Sequence, residues 1–419
     1  MSSSTTDRVW SVSEHMDNIL GQIRPLDPIE LQLLDAQGCV LVEDVTVPLA
    51  LPSFDNSSMD GYAIRAIDTE GATAEHPAVL TVIGDVAAGA EELPAVGPGE
   101  AAAIMTGAPM PPGADAVVPV EWTDGGTGDS APATAMTRHT SGEVRVRRPA
   151  EPGAHIRARG SDVAAGELAL ASGTVLGPPQ IALLAAIGRA SVRVRPRPRV
   201  VVMSTGSELV QPGEELAPGR IHDSNSFMLT AAARDAGALA YRVGAVADDA
   251  ETFRTTIEDQ LIRADMLVTT GGVSVGAYDV VKEALSEIDF RKLAMQPGKP
   301  QGFGFLNGTP LLTLPGNPVS AYVSFELFVR PAIRTLMGVE SVHRSSLRAV
   351  CAEGVASSPK AKRQFLRGRY DQARGTVSPV GGAGSHLVKA LAHANALIVV
   401  PEDTTEVAPG AEVDVILLD

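Results

Sequence analysis

Cysteine is nearly missing from this chain. Cys39 and Cys351 are the only two in 419 residues, far apart among apolar neighbours, so the sequence predicts buried thiols and excludes a disulfide framework or a cysteine-rich metal site. Long apolar runs are missing too. A stretch such as "IALLAAI" at 181–187 is far too short to span a bilayer, and no membrane contact is expected. The N-terminal "MSSSTTDRVW" has no apolar core of the kind a secretory signal needs, which predicts a frayed tail on a cytoplasmic protein. Positive charge is in short supply: 34 Lys and Arg face 50 Asp and Glu, a formal net charge of -16. Neutralising phosphates takes a surplus of cations, so no nucleic-acid partner is expected. HExxH is absent, and His386 and His393 stand seven apart with no cysteine beside them, which argues against zinc.

What is present is a chain too long for one core, with hydrophobic residues at 44% and charged residues at 20%; length alone suggests roughly three domains. Residues 12–38 carry helix-like apolar spacing, whereas 72–148 alternate short Val/Ala runs with glycine and proline, the texture of a β module. Within it "TDGGTGDSAPATA" (123–135) is too poor in large apolar groups to order itself and reads as a mobile hairpin tip. The prolines of "RVRPRPR" (193–199) mark a boundary. Strand and helix then alternate to about residue 336, and from 346 short segments such as "ALIVVPE" predict a terminal β domain.

The alternating region carries the chemistry. "RVVVMSTGSEL" (199–209), "MLVTTGGVSVG" (266–276) and "PLLTLPGNPVS" (310–320) each leave an apolar run through glycine and hydroxyl or amide side chains. In open α/β sheets ligands sit outside the carboxyl ends of strands, so the three exits predict one crevice. Glycine lets backbone approach a ligand, and following helices turn their N–H groups toward an anion. There is no Walker lysine and no GxGxxG. Taken singly, each loop has a bland reading: Asn317 and Pro318 suit the N-cap and first turn of an apolar helix over 318–336, and Asp279 serves equally as a cap or a ligand. The carboxylates Glu208, Asp223, Asp248, Asp249 and Asp279 would repel an anion. A divalent cation such as Mg²⁺ is then the simplest bridge to phosphate. Lys299, in "QPGKPQGFG", is a second positive source whose ordinary reading is a solvated charge.

Taken together, "FDNSSMDGYAIR" (54–65), "TGAPMPPGADAVVP" (106–119), "STGSEL", "TTGGVSVGAYD", "PGKP" and "LPGNPVS" resemble the molybdopterin molybdenumtransferases, the MoeA and gephyrin E-domain family. Six motifs in order span nearly the whole chain. The resemblance implies a multidomain α/β plus β fold: an elongated four-subdomain chain with a molybdopterin-binding α/β domain and a C-terminal β-barrel-like domain. Subdomain I would be discontinuous (12–51 and 149–178), II an inserted β-rich module (52–148), III the α/β unit (1–11 and 179–337) and IV residues 338–419. The implied activity is molybdenum insertion into adenylylated molybdopterin with release of AMP, in a homodimer, with Mg²⁺ as cofactor and molybdate as second substrate. Transient contacts with an adenylyltransferase and with molybdoenzymes are implied as well.

By motif match, Asp279, Asp60 and Glu208 would be catalytic, with Asp279 and Glu208 holding Mg²⁺. Thr106, Asp162, Asp248, Gly271, Gly272, Ser274, Lys299, Pro315, Pro318, Ser320, Arg367 and Ser385 would bind substrate. Lys299, Arg367, Ser385, Ser274 and Ser320 are the implied molybdate set, since a tetrahedral dianion calls for fixed cations with hydroxyl or amide donors. Without the family, Asp60 before Gly61 and Thr106 before Gly107 read as turn residues, Asp162 as a surface carboxylate, and Arg367 in "KAKRQFLRGRY" as part of a solvated strand edge. The chain departs from the family at Gln296, where many relatives have lysine, and at Ser207 and Ser161, where an acidic residue is common. A specialised paralogue fits those departures. Two rivals remain: an adenylyltransferase acting one step earlier, and a non-catalytic molybdopterin-binding scaffold or carrier.

Overall fold

The computed structural model describes residues 8–128, 131–135, 142–246, 249–272, 281 and 284–418. The chain divides into two compact units. One takes residues 1–43, 173–177 and 191–419, the other residues 44–172 and 178–190.

The first unit is built on a seven-stranded mixed sheet. Its strands are β1 (Val9–Trp10), β2 (Arg199–Thr205), β3 (Leu239–Val246), β4 (Met266–Thr270), β5 (Asp289–Leu293), β6 (Pro300–Leu306) and β7 (Thr309–Leu314), in the order β1-β5-β6-β7-β4-β2-β3. The strands β7, β4, β2 and β3 run parallel, as the uninterrupted apolar runs require of strands covered on both faces. Val200, Val202, Met266, Val268 and Leu312 meet helices α2 (Asn225–Asp235), α4 (Pro318–Ser324) and α5 (Arg330–Leu336). The alternate residues Val201, Met203, Leu267 and Leu311 meet α3 (Ala250–Leu261) and the segment holding Val281, Ala284 and Leu285. Between α4 and α5 the helix widens into a π turn over Phe325–Val329; Pro331, lacking an N–H, cannot complete the ordinary ladder there.

Helix α1 (Val12–Gln22) opens on a capping box, Ser11 with Glu14. The helical spacing expected over 12–38 holds only for this first part. Pro25 and Pro28 disfavour helix in the residues before them, and Ile29–Gln32 forms a strand in a three-stranded sheet with Ser191–Arg195 and Val40–Leu41.

The C-terminal region is a closed five-stranded barrel: β8 (Ser346–Cys351), β9 (Arg363–Asp371), β10 (Thr376–Pro379), β11 (Ala396–Val400) and β12 (Glu412–Leu417). They pair in the cycle β9-β10-β8-β12-β11-β9, around Cys351, Leu366, Val377, Ile398 and Val415. A short helix, α6 (Val388–Ala392), lies between β10 and β11.

The second unit centres on a five-stranded sheet in the order Gly142–Val146, Ala78–Val86, Glu100–Ile104, Gly61–Ile64, Ala116–Pro119. Part of the segment read as a mobile tip is organised here by a buried carboxylate. Asp124 accepts from the backbone N–H groups of Gly126, Gly128 and Arg145 at 3.0, 3.2 and 3.0 Å, a device that replaces the missing apolar groups. Both cysteines are free and buried. No helix among the described residues is long and apolar enough to cross a membrane.

Candidate functional site

The carboxyl ends of three parallel strands lie side by side, with Ser204 opposite Thr270 and Thr270 opposite Leu314. After β2 the chain enters α2 on one face of the sheet, while after β4 it reaches Val281 and Ala284 on the other. The connections therefore diverge between β2 and β4, the arrangement that opens a crevice at a strand-order reversal. The loops bearing Gly271, Gly272 and Pro315, and the strand end preceding Glu208, meet here as the sequence predicts.

The two adjacent glycines follow from the geometry. Gly271 and Gly272 have φ of +99° and +62°, and a Cβ on Gly271 would run into the carbonyl oxygen of Thr205. Only glycine fits this left-handed, closely packed backbone without strain. The Gly271 N–H donates to Leu314 O at 3.2 Å, and the Thr270 hydroxyl donates to Pro315 O at 2.9 Å.

Asn225, which the sequence reading missed, ties these loops together. Its Nδ2 donates to Thr270 Oγ1 at 3.1 Å and to Gly316 O at 2.6 Å. The available signal was local: in "HDSNS" Asp223 precedes Ser226 by three at the start of an apolar helix, a capping spacing. Asp223 takes that role. Buried at 1% exposure, it accepts from the Ser204 hydroxyl at 2.9 Å and from the Ser226 N–H at 3.0 Å. Asp249 caps α3 through the Thr252 N–H at 2.8 Å; bonds from the Thr252 side chain and then its backbone hold that carboxyl below its ordinary pKa. Two of the five carboxylates are thus structural. Glu208 remains exposed with no ion-pair partner among the described residues, and Asp248, Ser274 and Asp279 lie outside the described residues. Among the described residues no cluster of three or more metal-ligating side chains forms; Glu208 offers one hard oxygen donor of the kind Mg²⁺ takes alongside phosphate oxygens.

A second corner of the same unit brings Ser320, Arg367 and Ser385 together through one loop, and the strand that precedes Lys299 pairs with the strand of Arg367. Arg367 is not at a solvated edge. It sits on β9 at 2% exposure, donating to the carbonyls of Gly382 and Gly384, with Nε unpartnered and no carboxylate partner among the described residues. Burial pulls its guanidinium pKa down. Its carbonyl partners belong to the loop of Ser385, whose own carbonyl accepts from the Val319 N–H at 3.0 Å at the head of α4, beside the buried Ser320. Asn317 stands at the N-cap position of α4 but makes no side-chain cap bond, and Pro318 fills the first helical turn. The strand Met295–Gln296 leading to Lys299 pairs with the start of β9, and Gln364 Nε2 donates to Gln296 Oε1 at 3.2 Å. Lys299 is exposed.

The remaining sequence-predicted residues lie in the second unit. Asp60 Oδ1 accepts the Thr106 N–H at 2.7 Å, joining those two directly. Asp162 is exposed, its N–H donating to Leu51 O at 3.0 Å, and Ser161 precedes it in the same turn.

Strand ends meeting at a reversal, and in the same unit a buried cation with no carboxylate partner among the described residues, define an α/β protein suited to a small anionic ligand. The match to known proteins is more specific. Residues 10–188 match the MoeA N-terminal region (domain I and II), 201–335 a probable molybdopterin binding domain and 348–418 the MoeA C-terminal region (domain IV). Molybdopterin molybdenumtransferase 2 of Mycobacterium tuberculosis is 47% identical over 97% of this chain and 98% of its own length, and the Bacillus subtilis molybdopterin molybdenumtransferase is 36% identical over 92% and 89%. The crystal structure of a molybdopterin biosynthesis moea protein from Pyrococcus horikosii superposes with a TM-score of 0.75 at 33% identity, covering 98% of this chain and all of that one. The chain belongs to the MoeA family.

Proposed function

We propose that this chain is a molybdopterin molybdenumtransferase that inserts molybdenum from molybdate into adenylylated molybdopterin and releases AMP. The observation carrying the oxyanion part is Arg367. A guanidinium withdrawn from water without a counter-charge is costly, and an anion docking against its corner would offset that cost. The pterin phosphates are assigned to the glycine loops between β2 and β4, where backbone can approach closely. Water attack on the phosphoanhydride places its oxygen on one phosphorus while the bridging oxygen leaves with the other, giving pterin phosphate and AMP.

Asp279 and Asp60 are assigned catalytic roles, and Thr106, Asp162, Asp248 and Ser274 substrate contacts, by their motif positions. Lys299, Ser320, Arg367 and Ser385 are assigned to molybdate. Mg²⁺ held by Glu208 and Asp279 would neutralise charge on the phosphate oxygens. The subdomain limits stated above, a homodimer, transient contacts with an adenylyltransferase and molybdoenzymes, and a cytoplasmic location complete the proposal.

The test is to incubate the purified chain with adenylylated molybdopterin, Mg²⁺ and molybdate. AMP release together with active cofactor is expected. Retention of the ligand without AMP would make the protein a carrier, and synthesis of the adenylylated pterin from ATP would make it an adenylyltransferase.

A further inference from the structure

Lys299 is exposed, and the flexible stem of a lysine does little by itself to aim its ammonium. Its backbone is held instead. On one side the Lys299 carbonyl accepts from the Leu293 N–H at 2.8 Å. On the other the Gly298 carbonyl accepts from Gln301 Nε2 at 2.7 Å, and the same nitrogen donates to Ser324 Oγ at 2.6 Å. Because a carbonyl oxygen only accepts, these partners fix which way the Gln301 amide faces.

Gln301 is 2% exposed and shares a face of β6 with Phe303, which packs in the core under α4 and α5. An apolar side chain would bury there without needing a partner, whereas an amide must be hydrogen-bonded. What the amide adds is a tie between the Pro297–Pro300 turn and α4. The turn lies close against that helix: Gly298 has φ of +101°, and a Cβ on it would stand 2.8 Å from Ser324 Oγ. Ser324, fully buried, is the last residue of α4, and Ser320 lies four residues earlier, one turn along the same face. Val319, next to Ser320, donates to the carbonyl of Ser385, in the loop whose Gly382 and Gly384 carbonyls accept from Arg367. One short helix thus indexes both the Lys299 turn and the Arg367 loop.

The geometry points to Gln301 as a positioning residue. Through Gly298 and Ser324 it sets where the Lys299 ammonium stands relative to Ser320 and Arg367, and so how tightly the corner holds a tetrahedral oxyanion. Gln301 touches no oxyanion itself; its effect runs through the turn. The inference rests on the proposed assignment of Lys299 to molybdate, whereas the tie between turn and helix stands on the hydrogen bonds alone.

Molybdate is titrated calorimetrically into the full-length chain, into Gln301→Met, Ser324→Ala and Lys299→Ala, and into each of the first two combined with Lys299→Ala. Gln301→Met keeps the side-chain length and removes the donor, so molybdate binding should weaken about fivefold or more; Ser324→Ala leaves the Gly298 bond and should weaken it about threefold. In the Lys299→Ala background both effects should vanish, because no ammonium is left to place. A loss that persists there would mean that Gln301 acts on the fold at large, and unchanged binding in both single variants would remove it from the site. Either result overturns the inference and leaves the assignment of Lys299 standing. Should Gln301→Met show no cooperative urea transition, Ser324→Ala in the two backgrounds decides alone. If Lys299→Ala binds molybdate as the wild-type chain does, the assignment of Lys299 is refuted and the inference falls with it.

Discussion

Asp60 is pulled two ways. Its carboxylate receives the Thr106 N–H at 2.7 Å, and its backbone carbonyl receives the Val120 N–H at 3.0 Å. Asp60→Asn keeps an acceptor oxygen and removes the charge, so stability should stay within about 1 kcal/mol by urea denaturation. AMP release should nevertheless fall at least about tenfold if its charge has the proposed part in the reaction. Unchanged release would reduce Asp60 to a turn residue. His15 makes a different demand. It is 1% exposed, edge-on to Phe328 with ring centroids 4.9 Å apart, and its Nδ1 has no partner among the described residues. Burial, and then Arg291, push its pKa down from 6.5 to about 3. Below pH 6.5 the unfolded chain takes up a proton that the folded chain refuses, so stability fully present above that pH is lost as pH falls toward 3, at up to about 1.4 kcal/mol per pH unit. His15→Leu removes this dependence. The wild-type urea midpoint should drop faster than the variant's between about pH 6.5 and 4.5; parallel curves would exonerate His15.

The strand exits behave as a set because they are in register. Gly271→Ala places a side chain at φ +99° against the Thr205 carbonyl and within 2.8 Å of Thr205 Oγ1. Backbone strain of about 1–3 kcal/mol is compounded by a collision with main chain that cannot swing aside. Gly316→Ala meets, among the described residues, Gly271 Cα at 3.5 Å and Gly271 N at 3.9 Å, ordinary contact, and its stability should change by about 0.5 kcal/mol or less. Urea denaturation should separate the two, and equal losses would contradict this packing. The parallel strands and these glycines were legible in the sequence because apolar runs and their punctuation are local signals. Asn225 was not: it works through Gly316, 91 positions away, and nothing near it announces that distance. The same limit hid the role of Asp223, since a carboxylate near a loop looks alike whether it caps a helix or faces a ligand. Arg367 was misleading for the opposite reason. Its run of basic neighbours suggests a solvated edge, yet alternation along β9 turns it away from Leu366 and the barrel core, and closure of the barrel leaves no free edge there.

For the chain as a whole the decisive quantity is charge. A net -16 repels molybdate at long range, while on the proposed assignment Lys299 and the Arg367 corner would attract it only on contact. Salt separates the two, because the Debye length shortens from about 30 Å at 0.01 M to about 10 Å at 0.1 M. Over that interval long-range repulsion is screened, but attraction across a few ångströms in a partly desolvated corner is little changed. The apparent molybdate affinity should therefore rise with salt, an unusual sign for an anion site. Affinity for Mg²⁺ should fall over the same range, since the field that repels molybdate gathers the cation. Lys299→Ala should weaken molybdate binding at both salt concentrations without reversing its salt trend, because the substitution would remove the proposed contact and leave the distant field almost intact. Calorimetric titration of molybdate and Mg²⁺ at the two salt concentrations reads all three effects. A molybdate affinity that falls with salt in the wild-type chain would mean that the local potential is positive out to a Debye length, and the acidic balance of the chain would then have no part in substrate capture.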